Sequence, residues 1–291
     1  MDTAAALRYV RGRQTPAGGF SFYRSWGVEE PSPADSFYAL FSLAILGGEP
    51  LEHDACANWL QARQDAAGGF SSLAAGWQVL ESLDLLGMPP ERSAAPWLIT
   101  RAGILFEAVE AGSAEAPGEL LAELARFVDL WRSTGHLRLE PRQRMAIIAS
   151  LERLRDARGA FPRDAPNLTD SATALRLIRA LHLLPHRSLL AFARSCEDPL
   201  YGFRPVPQGH STRLEVVASG LDVCAAFGAE ARYTDAIRET LAACQHDGGG
   251  FSPQPGALPT LRDTWLAMRI LQRLAPPSID SNKTRGSFDG R

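Results

Sequence analysis

A chain of 291 residues, 45% apolar and 22% charged, is long and apolar enough to bury a sizeable globular core. Its formal net charge of -3 and sequence pI near 6.1 argue against the concentrated basic face that phosphate-backbone binding requires, so no nucleic-acid partner is expected. The opening MDTAAALRYVRGRQ has no long apolar run and no stretch approaches ~18 uninterrupted apolar residues, so a cytoplasmic chain with no membrane span is expected.

A first helix is predicted near Thr3 to Arg13, where Ala5, Leu7 and Val10 recur at helical spacing. It runs into Gln14-Thr-Pro-Ala-Gly-Gly-Phe20, a glycine turn with an aromatic plug, and then a Pro-containing loop from Tyr23 to Pro33. Asp35 to Leu46 is apolar nearly all round, which suits a helix of an interior ring, whereas Asp54 to Arg63 has the narrow apolar stripe of an outer one. Gln64-Asp-Ala-Ala-Gly-Gly-Phe70 repeats the turn, and Gly76 to Leu86, closed by Gly87, repeats the dry helix. The stretches Trp97 to Ala111 and Glu119 to Trp131 keep two helices but lack the GGF. The alternation then resumes with Gln143 to Arg155 and Asp170 to Leu184, Ser188 to Cys196 and Ser211 to Phe227, and Tyr233 to Cys244 and Leu261 to Leu274. After Pro276-Pro277 the almost non-apolar tail, 276–291, is expected to be disordered.

The turn phenylalanines Phe20, Phe70, Phe161, Phe203 and Phe251 lie 50, 91, 42 and 48 residues apart, so the long step hides a degenerate unit between residues 91 and 140. Six helix pairs follow. A period in the forties with two helices per unit is that of a helical array, and two concentric rings of six make an all-α, closed α/α toroid over residues 1–275. The turn needs one Gly at positive φ, while the Gln six residues before the Phe can satisfy carbonyls at a helix end or a neighbouring turn. Asp35, Asp170 and Asp263 stand at starts of inner helices, where a carboxylate caps exposed N–H groups; the same positions line one mouth of a toroid. Cys56, Cys196, Cys224 and Cys244 have no close CxxC spacing and read as reduced core residues.

The Gln-x5-Phe turns of GGF type, followed by inner helices such as Asp35-Ser-Phe-Tyr-Ala-Leu, resemble the repeats of the protein prenyltransferase β-subunit and squalene (terpenoid) cyclase superfamily. The resemblance covers residues 1 to 275. It implies a central cavity lined by aromatics that holds an isoprenoid chain, as a prenyl diphosphate or a polyene, and a helical partner subunit as an alternative to catalysis. Protein prenyltransferases hold zinc with an Asp-x-Cys pair and a later His. Asp263-Thr-Trp has no His after it and Asp35-Ser-Phe and Asp170-Ser-Ala have no Cys, so no metal or other cofactor is expected. Against the cyclases' DxDD motif, Leu168-Thr-Asp170-Ser-Ala-Thr keeps only the middle Asp.

The resemblance therefore implies Asp170, Asp35 and Asp263 as candidate catalytic residues. His210, Arg213 and Arg262 are candidates for a diphosphate clamp, because guanidinium forks and helix N-termini suit phosphate oxygens. Tyr38, Phe41, Trp77 and Trp265, with Phe37, are candidates for the hydrophobic contact with substrate. The picture is a charged rim above a shaft whose helix bodies are almost wholly apolar. A toroid hydrolase of sugars would instead need two of the carboxylates ~5 to 10 Å apart.

Overall fold

A computed structural model of the protein describes residues 1–23, 29–111, 116–133 and 139–275; the expectation for the tail lies outside them. The described helices are α1 (Thr3–Arg11), α2 (Pro33–Ile45), α3 (His53–Gln61), α4 (Leu73–Leu85), α5 (Ala95–Ala111), α6 (Pro117–Ser133), α7 (Pro141–Leu154), α8 (Leu168–Ala180), α9 (Ser188–Ser195), α10 (Leu214–Ala226), α11 (Thr234–Cys244) and α12 (Leu261–Leu274). The even-numbered helices form the inner ring: each packs against the next, and α12 packs on α2 to close it. The odd-numbered helices pack outside. Closure is visible in the core as well, since Ala6 is buried among residues of α10 and α12, and Leu261 among residues of α1 to α4. This is the all-α toroid expected. A two-residue ribbon, β1 (Glu197–Asp198) with β2 (Gly202–Phe203), was not anticipated and is the fifth unit's glycine turn drawn into antiparallel pairing.

The helices that carry Asp35, Asp170 and Asp263 begin two residues before the Asp, because the capping residue stands three positions ahead of it; α10 begins at Leu214, three residues after the expected Ser211. Ser32, Asn167 and Thr260 each accept the backbone N–H of Asp35, Asp170 and Asp263. The same capping side chains hydrogen-bond the Asp carboxylates at 3.0, 2.8 and 2.6 Å. Each Asp is thus the third residue of its helix, at the positive end of the helix dipole, and the capping role expected of it belongs to Ser32, Asn167 and Thr260. The next residue does a second job. Ser36, Ser171 and Thr264 accept the backbone N–H of the plugs Phe20, Phe161 and Phe251, so one Asp-Ser or Asp-Thr pair fixes both the helix start and the turn before it. All three plugs are essentially fully buried.

Within the GGF turns the two glycines differ. Gly68 has φ +85°, which a side chain rarely adopts, whereas Gly69 is required for space, since a Cβ there would lie 2.6 Å from the Trp97 ring. Gly19 and Gly250 are covered in the same way by Trp59 and Tyr9. The turn glutamine joins units. Gln64 donates to the carbonyls of Gly68 and Arg92 and accepts the N–H of Arg92, ahead of α5. Gln14 does the same to Glu52 ahead of α3. Gln245 does it to Asp2, the cap of α1, which clasps the last turn to the first helix.

Candidate functional site

The inner ring brings the five sequence-identified aromatics into one wall. Phe37 and Phe41, four residues apart on one face of α2, have ring centroids 4.4 Å apart. Phe37 meets Trp77 of α4 at 4.6 Å and Trp265 of α12 at 5.9 Å, while Tyr38 meets Trp265 at 5.2 Å. Phe37 is buried, but Tyr38, Trp77 and Trp265 keep partly accessible faces. Two contacts put this wall on the inside of the ring. The Arg176 guanidinium of α8 sits 5.9 Å from the Trp77 ring centre, and α8 and α4 are separated by α6, so the contact spans the interior. Tyr38 of α2 likewise feels the charge of Arg126 on α6, two helices away.

The interior is not the apolar shaft expected from the sequence. The bodies of the inner helices carry Glu81, Arg126, Asp129, Arg176, Asp222 and Arg269, and most are matched between neighbouring helices. Arg269 pairs with Asp222 at 2.6 Å, Arg273 reaches the same carboxylate at 3.5 Å, and Arg176 approaches Asp129 at 3.7 Å. The helices read as apolar all round because these charges are few and spread over five helices; the ring brings them to meet between neighbours. Burial pushes the Glu81 carboxyl up to about 7, reinforced by Asp129 and Asp84 and opposed by Arg176. Arg126 has no acidic partner within ion-pair distance among the described residues. No repeat or motif marks either Glu81 or Arg126, so sequence reasoning missed both.

The expected site residues fall into two groups. Arg262 of α12 is paired with Glu215 of α10 and opposes the burial that raises the Tyr38 phenol, and Asp263 lies within the fields of Arg262, Glu215 and Arg213. Arg213, the residue before α10, therefore belongs to this mouth; it caps without a side-chain hydrogen bond. His210 is exposed, three residues further back along the chain. Asp35 and Asp263 both act on the Tyr9 hydroxyl between them. Burial raises the carboxyls of both, against the hydrogen bonds from Ser32 and Thr260. Asp170 stands apart, against Gly118 in the first turn of α6, where a Cβ would lie 2.8 Å from its Oδ2.

The donor set does not suit zinc. Asp263 and Asp35 are engaged by their own caps, the four cysteines are buried with thiols pushed up by burial, and no three His, Cys, Asp or Glu side chains converge among the described residues. The model of the Prenyltransferase alpha-alpha toroid domain matches residues 1–76, 130–257 and 215–286. The chain belongs to the prenyltransferase α/α toroid family. The stretch without a match, 77–129, contains most of the unit that has lost its GGF turn. No curated protein matches the chain. For a prenyltransferase toroid with this interior, the chemistry at hand is aromatic contact, the Arg126 guanidinium without an ion-pair partner among the described residues, and the Glu81 carboxyl raised to about 7. No described helix is long and apolar enough to cross a membrane.

Proposed function

We propose that the toroid binds an isoprenoid-type chain against the faces of Tyr38, Trp77 and Trp265, backed by the buried Phe37 and Phe41, with the chain's polar end beside Tyr38, Arg126, Arg213 and Arg262. The aromatic wall across α12, α2 and α4 carries this reading, because partly accessible aromatic faces on the inside of a ring offer large apolar contact and stack well on alkenes. Arg126 supports an anionic end: among the described residues it has no acid within ion-pair distance, and an anion there satisfies it by charge-assisted hydrogen bonds. Arg213 extends the same positive edge to the mouth, while Arg262 is already matched by Glu215. Asp35, Asp170 and Asp263 act in this reading as the residues that hold the inner-helix starts. That engagement favours a second reading, a binding or partner subunit without chemistry, since all three carboxylates are hydrogen-bonded by their own capping side chains.

The test is thermal and calorimetric titration with farnesyl diphosphate and with farnesol. Both are expected to raise the melting temperature, the diphosphate more. Arg126→Ala is expected to weaken the diphosphate by roughly 1.5 to 3 kcal/mol while leaving the alcohol unchanged. Absence of heat and of thermal shift with both ligands contradicts the binding proposal. Equal loss of both in Arg126→Ala contradicts the role given to Arg126.

A further inference from the structure

Among the five glycine turns, the side-chain clasp to the chain ahead of the next outer helix is missing at one, and a cleft lies beside it. Counting six residues back from the plug gives Gln14, Gln64 and Gln245 in three turns, Glu197 in the fifth unit and Arg155 in the fourth. Glu197 still accepts the N–H of Arg232 ahead of α11, at 2.8 Å. Arg155 cannot accept, because a guanidinium has only donors. Its side chain turns back to Glu152, one turn earlier on α7, and among the described residues makes no hydrogen bond to the chain ahead of α9. Between α7, α8 and α9 lies a cleft of about 460 Å³ with Arg155 and Arg187 at its edge. Ile148, Leu151, Phe161 and Ile178 form its apolar wall, and Leu184, 96% exposed, stands at its mouth.

That volume is of small-molecule size. The walls are apolar and the rim carries two guanidiniums against one carboxylate, Glu152, with Arg187 lacking any acidic partner among the described residues. We propose that this peripheral cleft is a site for a single-chain amphiphile with a terminal anion, a carboxylate or a phosphate, its chain against Ile148, Leu151 and Ile178 and its anion between Arg155 and Arg187. The site is outside the inner ring and independent of the aromatic wall. An Arg at the clasping position then has two linked effects: it leaves the bond to the chain ahead of α9 unmade, although Gly159 still packs on Ser188, and it supplies a cation beside the cleft.

Decanoate, decyl phosphate and decanol, titrated by calorimetry against the full-length protein, test this. Decanoate or decyl phosphate is expected to bind, and the preference between them identifies the anion. Arg187→Glu, an exposed change, is expected to weaken the anion about tenfold or more. Arg155→Gln restores the residue used in three other turns; it is expected to raise the ligand-free melting temperature and to weaken the anion by a similar factor. Trp77→Ala, on the interior wall, is expected to leave decanoate unaffected, which separates this site from the interior one. The proposal is overturned if neither anion binds, if decanol binds as well as the anions, or if binding survives both Arg187→Glu and Arg155→Gln.

Discussion

Glu81 shows how a residue acquires its chemistry from the ring rather than from its neighbours in sequence. It sits in the dry run Val79-Leu-Glu-Ser-Leu83, and the groups that shape it, Asp129 and Arg176, arrive from α6 and α8. No local pattern reports that. Its carboxyl is raised from an ordinary 4.5 to about 7, so the folded chain holds this proton more tightly than the unfolded one. The favourable contribution is therefore complete below the ordinary carboxylate range and is lost as pH rises through about 7. Glu81→Gln removes the ionisation penalty. Urea unfolding is expected to find the variant within about 1 kcal/mol of the parent at pH 5 and more stable at pH 8, by on the order of 3 kcal/mol at ~1.4 kcal/mol per pH unit. A stability difference that does not change between those pH values contradicts a raised Glu81. Asp35, Asp170 and Asp263 were legible as first-turn residues of inner helices because the preference of a carboxylate for that end of the dipole is local, but the cap itself is Ser32, Asn167 or Thr260. Their offset from the true helix starts was not, since Ser, Asn or Thr three residues earlier competes for the same role.

At the scale of elements, the recurring Gln-x5-Phe step was legible and so was its purpose: a helix end, a turn and a plug that reappear at a fixed spacing can only be one structural unit reused. The partner of each Gln was not legible, because the bonded backbone belongs to the following unit. Gln245 is the telling case, since its partner Asp2 is at the other end of the chain. Gln245→Ala strips the clasp from α1 and leaves three backbone groups to water or to nothing, a cost of about 1 to 2 kcal/mol. Amide exchange in α1 is expected to speed up in this variant and to stay at the parent rate in Gln64→Ala, which loosens the chain ahead of α5 instead. Identical α1 exchange in all three proteins contradicts the clasp. The two turn glycines divide in the same way: a positive φ is a local demand, as at Gly68, but the need for Gly69 is set by Trp97 from the next outer helix.

For the whole molecule, the period fixed the number of helix pairs even where the turn signal is lost, because a closed ring of inner helices needs the missing pair to join α4 to α8. What escaped was the character of the interior. Five of the six inner helices, α4 to α12, contribute one or two charges apiece from their bodies, and only closure brings these to the same interior as the aromatic wall. The most direct test of the proposed function is a structure of the protein with bound geranylgeranyl diphosphate. The chain is expected along Tyr38, Trp77 and Trp265 with its diphosphate within hydrogen-bond reach of Arg126. A diphosphate found only in the α7–α9 cleft, with the interior wall bare, would contradict it.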